Sequence, residues 1–167
     1  MHPAQTCTKE KTACFTGHRQ LSTPQKKLEE ELFIQIQGAI AMGYNHFICG
    51  GAVGFDTLAA ERVIYARVAY KQPITLEIAV PCKNQDAKWS ERQKRRYEAI
   101  LEMADTITMV SENEYQPGYM EQRNKYMVDQ SPLVIAYKEP GRAGGTKQTI
   151  EYAKSQGRKI WHIGGNT

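Results

Sequence analysis

Four segments of this 167-residue sequence combine residue types that can hold an anion. Thr16-Gly17-His18-Arg19 follows the short apolar run Ala13-Cys14-Phe15. A glycine lets backbone approach a ligand closely, and the adjacent His and Arg can meet an anion, the guanidinium bidentately. Gly50-Gly51-Ala52-Val53-Gly54 follows Phe47-Ile48-Cys49 and leads into Phe55-Asp56. At a glycine-rich strand-to-helix turn the backbone N–H groups point outward, where the helix dipole favours negative charge. Asp56 suits either of two roles, acceptor for a ribose hydroxyl or charge at the start of a helix. Gly141-Arg142-Ala143-Gly144-Gly145-Thr146 is a second such turn, with Thr146 as cap or ligand contact. In Met120 to Asp129, helical spacing puts Arg123, Tyr126 and Met127 on one face. An Arg among apolar neighbours needs a partner, which could be Asp129, another carboxylate or a bound phosphate. Neither glycine-rich turn is G-x-G-x-x-G, and no G-K-[ST] follows, so the dinucleotide and Walker fingerprints are both absent.

The elements that must position these residues alternate along the chain. Six apolar runs of strand length are Ala13 to Phe15, Phe47 to Cys49, Ile74 to Val80, Ile107 to Val110, Leu133 to Tyr137 and Ile160 to Ile163. Most are apolar without a break, the pattern of strands covered on both faces. Between them lie helical patterns. The first starts at Pro24 with Thr23 as N-cap, carries Leu28, Leu32, Phe33, Ile36 and Ile40, and stops at Gly43. The second follows Gly54 and uses Leu58, Ala59, Val63 and Ala66; Glu61, one turn in, reads as structural. The third opens at the capping box Ser90-x-x-Gln93 and uses Tyr97, Ile100 and Leu101. A fourth covers about Tyr119 to Val128, and a fifth runs from near Thr146 to Gly157. This alternation predicts an α/β fold, a Rossmann-like three-layer sandwich with about six mostly parallel strands and helices on both faces. Ligands bind such sheets at the carboxyl ends of the strands, where the glycine-rich segments fall.

Length, 41% hydrophobic and 24% charged residues suit one compact domain and exclude disordered and fibrous classes. No linker or repeat divides the chain. No apolar run reaches a membrane span, and the first 12 residues lack a signal-peptide core. The net charge of +4 divides evenly, +2 in residues 1–83 and +2 in residues 84–167. This suits a small anionic ligand better than a nucleic-acid tail. The basic run Lys88 to Arg96 reads as a solvated helix face or a nucleic-acid contact, and Trp89 beside it as a core residue or a base-stacking one. Cys7, Cys14, Cys49 and Cys82 have no zinc-type spacing, and Cys14 and Cys49 read as buried hydrophobes, so a reduced, cytoplasmic setting is expected. His2, His46 and His162 are isolated, and no metal site or obligatory cofactor is expected.

Phe15 to Arg19, Gly50 to Glu61, Arg123-Asn124 to Asp129-Gln130-Ser131, and Gly144-Gly145-Thr146 together resemble the YpsA-like proteins of the SMF/DprA–LOG (SLOG) superfamily. The resemblance spans about Thr12 to Gly164. It implies a Rossmannoid domain that binds a nucleotide or nucleotide-derived ligand, for sensing or processing. The expected site places phosphate on Gly144, Gly145 and Thr146, with Arg123 and Asn124 beside it. Thr16, Gly17, His18, Arg19, Gly50, Gly51, Ala52 and Gly54 line the rest, and Asp56 faces a sugar hydroxyl. The Lonely Guy branch of the superfamily hydrolyses nucleoside monophosphates, which makes Arg123 and Asp56 the catalytic candidates. The DprA branch binds single-stranded DNA, a further alternative, and relatives pair through helices, so a homo-oligomer is implied. The chain departs from the hydrolase pattern: Asn124 stands for its Lys, and Thr149 for the Glu of its P-G-G-x-G-T-x-x-E turn. Glu151, two residues on, is about 200° further round the helix.

Overall fold

A computed structural model describes residues 10–164. His2 and Cys7 lie outside the described residues. Among the described residues, eleven strands and helices alternate: β1 (Thr12–Gly17), α1 (Gln25–Ala41), β2 (His46–Cys49), α2 (Phe55–Ala69), β3 (Thr75–Val80), α3 (Glu91–Met103), β4 (Thr106–Met109), α4 (Tyr119–Asp129), β5 (Leu133–Tyr137), α5 (Gly145–Ser155) and β6 (Lys159–Ile163). The six strands form one sheet in the order β4-β3-β2-β1-β5-β6, and every pairing is parallel. The fold is the expected Rossmann-like α/β sandwich.

Each face of the sheet has its own core. On one, Leu28, Leu32 and Ile36 of α1, Leu58 and Val63 of α2 and Ile100 of α3 pack on Phe15, Phe47 and Leu76. On the other, Met127 and Val128 of α4 and Ala153 of α5 pack on Cys14, Ile48 and Val134. Alternating residues of β1 thus feed opposite cores, which is why the inner strands read as unbroken apolar runs. Cys14, Cys49 and Cys82 are buried free thiols, and burial pushes Cys14 up to about 12.

Two local expectations are corrected. Thr23 does not cap α1: Pro24 holds the N-cap position with extended backbone and no side-chain cap. The Thr23 hydroxyl instead hydrogen-bonds with the Tyr137 hydroxyl at 2.6 Å, tying the loop before α1 to the end of β5. The run at Ile107 is not covered on both faces. β4 is an edge strand, and Ile107 and Met109 are exposed. The capping box at Ser90 forms in full.

One buried polar network crosses the sheet. Glu77 of β3 accepts from His46 Nε2 at 2.8 Å, from the Thr108 hydroxyl at 2.8 Å and from the Tyr126 hydroxyl at 2.7 Å. It links β2, β3, β4 and α4. Burial pushes this carboxyl up, but the three hydrogen bonds together outweigh it and hold Glu77 below its usual range.

The chain order creates a crevice at the carboxyl end of the sheet. From β1 the chain moves out through β2, β3 and β4, then crosses over to β5 on the other side of β1. Such a reversal leaves the space above β1 and β5 uncovered, the position where open α/β sheets bind ligands.

Candidate functional site

A cavity of about 210 Å³ occupies that crevice. The end of β1 and the following loop supply Phe15, Thr16, Gly17, His18 and Arg19. The β2–α2 turn supplies Ala52 and Asp56, α4 supplies Met120, Arg123 and Asn124, and α5 supplies Gly145 and Thr146. Ten of the fourteen residues expected at the site therefore meet around one space. Gly50, Gly51, Gly54 and Gly144 lie outside the lining.

These glycines serve the frame. A Cβ on Gly50 would stand 2.5 Å from Arg123 Nη1 and 2.8 Å from Asp56 Oδ2, so the bare backbone is what lets the two charges flank it. Gly54 combines φ +83° with a Cβ position 2.2 Å from the Arg19 carbonyl oxygen. No other residue fits there. Gly17, in the lining, is equally confined, since a Cβ would overlap the Phe55 ring at 2.3 Å. Gly51 lies under Tyr97 and Ile78. Gly144 is the N-cap of α5, with φ +122°, and Gly145 opens the helix with nothing within 4 Å of its Cβ position.

Arg123 finds neither Asp129 nor any other carboxylate in direct contact among the described residues. It is buried, and Nη1 donates to the carbonyls of Gly50 at 2.5 Å and Ala79 at 3.3 Å. Nε donates to Asn124 Oδ1 at 3.0 Å, and Nη2 reaches only Met120 Sδ at 3.9 Å. Arg123 thus pins α4 to the ends of β2 and β3, leaving Nη2 with the capacity for a stronger acceptor. Asp129 instead accepts from the Tyr152 hydroxyl. Asp56, buried in the first turn of α2, accepts from the Ala52 N–H at 3.3 Å. Burial raises its carboxyl above the ordinary value, against the opposing pull of Arg123, the Ala52 N–H and Arg19.

His18 is held in one form. Its Nε2 accepts the Glu139 N–H at 3.0 Å, so the ring proton is assigned to Nδ1. Burial first and Arg142 second lower its basicity, as an acceptor role requires. Glu139 in turn pairs with Arg142, accepts from Tyr137 and takes the Ser22 N–H. Arg19 is exposed at the mouth of the cavity and touches Met120 Sδ at 3.8 Å.

Thr149 is buried and its hydroxyl donates to the Gly145 carbonyl at 2.8 Å. Glu151 lines a different cavity with Lys138, Lys147, Lys154 and His162. Asp56 is the one carboxylate in the lining of the β1–β5 cavity. The basic run divides: Arg96 pairs with Glu61 through two hydrogen bonds, Lys94 lies 3.9 Å from Glu91, and Arg92 and Arg95 are solvated. Among the described residues no cluster of three or more His, Cys, Asp or Glu could hold a metal, and no helix is long and apolar enough to cross a membrane.

The segment after β3, in which the sequence singles out only Lys88 and Trp89, holds further lining residues. There, Cys82, Asn84, Gln85, Ala87, Lys88 and Trp89 line a second cavity of about 550 Å³ with Glu114, Tyr115, Arg19 and Met120. The same rule, that ligands meet the carboxyl ends of strands, would have pointed to it.

Similar proteins agree with this description. The Bacillus subtilis protein YoqJ, an uncharacterized SPbeta prophage-derived protein, is 33% identical over 82% of this chain and 87% of its own. The UPF0398 protein BH1768 of Halalkalibacterium halodurans is 27% identical over 84% of this chain and 72% of its own. Among solved structures, DNA processing protein A of Streptococcus pneumoniae superposes with TM-score 0.63 at 21% identity, covering 95% of this chain and 52% of that one. The Helicobacter pylori protein of the same name, solved for its single-stranded DNA binding mode, gives 0.66 at 14% identity over 96% and 69%. These two likenesses establish the fold. The model of the YspA SLOG family (YpsA) matches residues 15–163, and the chain belongs to that family.

Proposed function

We propose that the β1–β5 cavity binds the phosphate and ribose of a nucleotide or nucleotide-derived ligand. The observation that carries this reading is the open N-terminus of α5. Gly145 and Thr146 present unfilled space and free helix N–H groups to the same cavity that Arg19 and Arg123 face with positive charge. Asp56, in the same lining, is the acceptor this reading assigns to a sugar hydroxyl. A thermal-shift screen against mono-, di- and triphosphates, cyclic nucleotides, ADP-ribose and NAD tests it. A ligand at 100 times its Kd adds about 2.7 kcal/mol of stability. A flat panel would overturn the reading. Binding only to single-stranded oligonucleotides, weakening steeply with salt, would replace it with the DNA-type alternative.

Asp56 supports a second reading, hydrolysis of the N-glycosidic bond. A buried carboxyl with a raised proton affinity beside a sugar subsite suits general-acid or electrostatic roles at an oxocarbenium-like transition state. Product analysis decides it: intact nucleotide after long incubation, with binding retained, excludes hydrolysis.

A further inference from the structure

The first cavity is too small for a whole nucleotide. Its volume of about 210 Å³ lies below the roughly 300–1,000 Å³ of typical small-molecule sites. The second, of about 550 Å³, shares Arg19 and Met120 with it. Those two side chains touch each other and form the common wall. We propose that the second cavity is the nucleobase subsite of one continuous cleft, taking the base of a nucleotide whose phosphoribosyl part occupies the first. This rests on the proposed nucleotide reading.

Three further observations favour a base as the occupant. Trp89 and the exposed Tyr115 line the second cavity, and aromatic faces are what bases stack on. Trp89 is anchored edge-on against Tyr97 at 5.2 Å, which fixes its ring. Gln85 is buried and donates through Nε2 to the Tyr97 hydroxyl at 3.1 Å, which braces the ring that Trp89 packs against. Asn84 uses Oδ1 to accept the Tyr115 N–H at 2.9 Å, which couples the two loops that wall the cavity and leaves its amide donors for a base acceptor.

The test uses Trp89 as reporter. The chain has two tryptophans, and Trp161 lies near Gly38 of α1, outside both cavities. Trp161→Phe therefore leaves fluorescence from Trp89. The probes are ribose 5-phosphate, the four nucleoside 5′-monophosphates and ADP-ribose, titrated by fluorescence and calorimetry. Ribose 5-phosphate is expected to bind without changing Trp89 emission. At least one nucleotide is expected to bind roughly 5- to 150-fold more tightly and quench it, the range of base–aromatic stacking. Tyr115→Ala, at an exposed position, should weaken that nucleotide and leave ribose 5-phosphate unchanged. Equal affinity for ribose 5-phosphate and every nucleotide, with emission constant, overturns the base subsite while the phosphoribosyl site stands. No binding of any probe overturns both readings.

Discussion

Gly145→Asp separates folding from ligand binding at the α5 turn. The position is exposed, its φ is not positive, and its Cβ site meets nothing within 4 Å. A side chain is accommodated, and an acidic one at the first position of a helix is favoured by the dipole by about 0.3–1 kcal/mol. The unliganded variant should therefore melt at or slightly above the parent. Against a bound phosphate the sign reverses. Two unit negative charges about 4 Å apart at an effective dielectric of about 20 repel by about 4 kcal/mol, a factor of about a thousand in Kd. The assay is the thermal shift at a ligand concentration 100 times the parent's Kd. The parent gains about 2.7 kcal/mol, roughly 5–11 °C for a chain of this size. The variant, then at about a tenth of its own Kd, gains less than about 0.1 kcal/mol and does not shift. Gly145→Ala, which adds bulk without charge, should retain most of the shift. If Gly145→Asp bound the ligand as the parent does, the phosphate would not lie on this turn and the reasoning would fail.

Gly50→Ala should displace both Arg123 and Asp56, lowering stability by about 1–3 kcal/mol, which calorimetric melting reads directly. Glu77→Gln leaves a shared carboxylate acceptor half replaced. Unfolding in denaturant should show a loss of about 1–3 kcal/mol at neutral pH. His18 has a lowered folded-state pKa, so the unfolded chain binds its proton first as pH falls. Stability should decline as pH drops below about 6.5, and His18→Gln should remove part of that slope in melts from pH 7.5 to 5.5. An unchanged slope would contradict the acceptor role at Nε2.

The strand–helix alternation was legible because parallel strands buried on both faces read as apolar runs and helices keep their period. β5 illustrates the first, with all five residues buried. The residues gathered at the crevice were legible for a related reason: position after a strand is a statement about the sheet edge. Partners were not legible. Arg123 announces itself by helical spacing, yet its acceptors are carbonyls 73 and 44 residues away, and backbone carbonyls carry no sequence signature. Thr23 before Pro24 looks like a cap by type, but Tyr137, 114 residues distant, takes its hydroxyl. Exposure of β4 depends on its being last in the sheet order, which four apolar-leaning residues do not encode. Trp89 was legible as a core or base-stacking residue, but Gln85 and Asn84 were not, because the loop after β3 has no glycine to mark it.

The two glycine-rich turns look alike in sequence and differ in what occupies the space a side chain would need. At Gly17, Gly50 and Gly54 the missing Cβ is replaced by the protein itself: the Phe55 ring, the Arg123 guanidinium with the Asp56 carboxylate, and the Arg19 carbonyl. Those glycines permit close packing, and a phosphate could not enter the volume they vacate. At Gly144 and Gly145 the volume is empty. Only the second arrangement leaves helix N–H groups facing free space beside positive charge. This is why the proposed phosphate is assigned to α5, with the β2–α2 turn lining the cavity through Ala52 and Asp56 rather than through its glycines. The distinction is testable by substitution at one atom's scale. Adding a methyl at Gly50 or Gly54 should cost stability with or without ligand, whereas adding it at Gly145 should spare stability and most of the ligand-induced shift, leaving the loss of binding to the charge of Gly145→Asp.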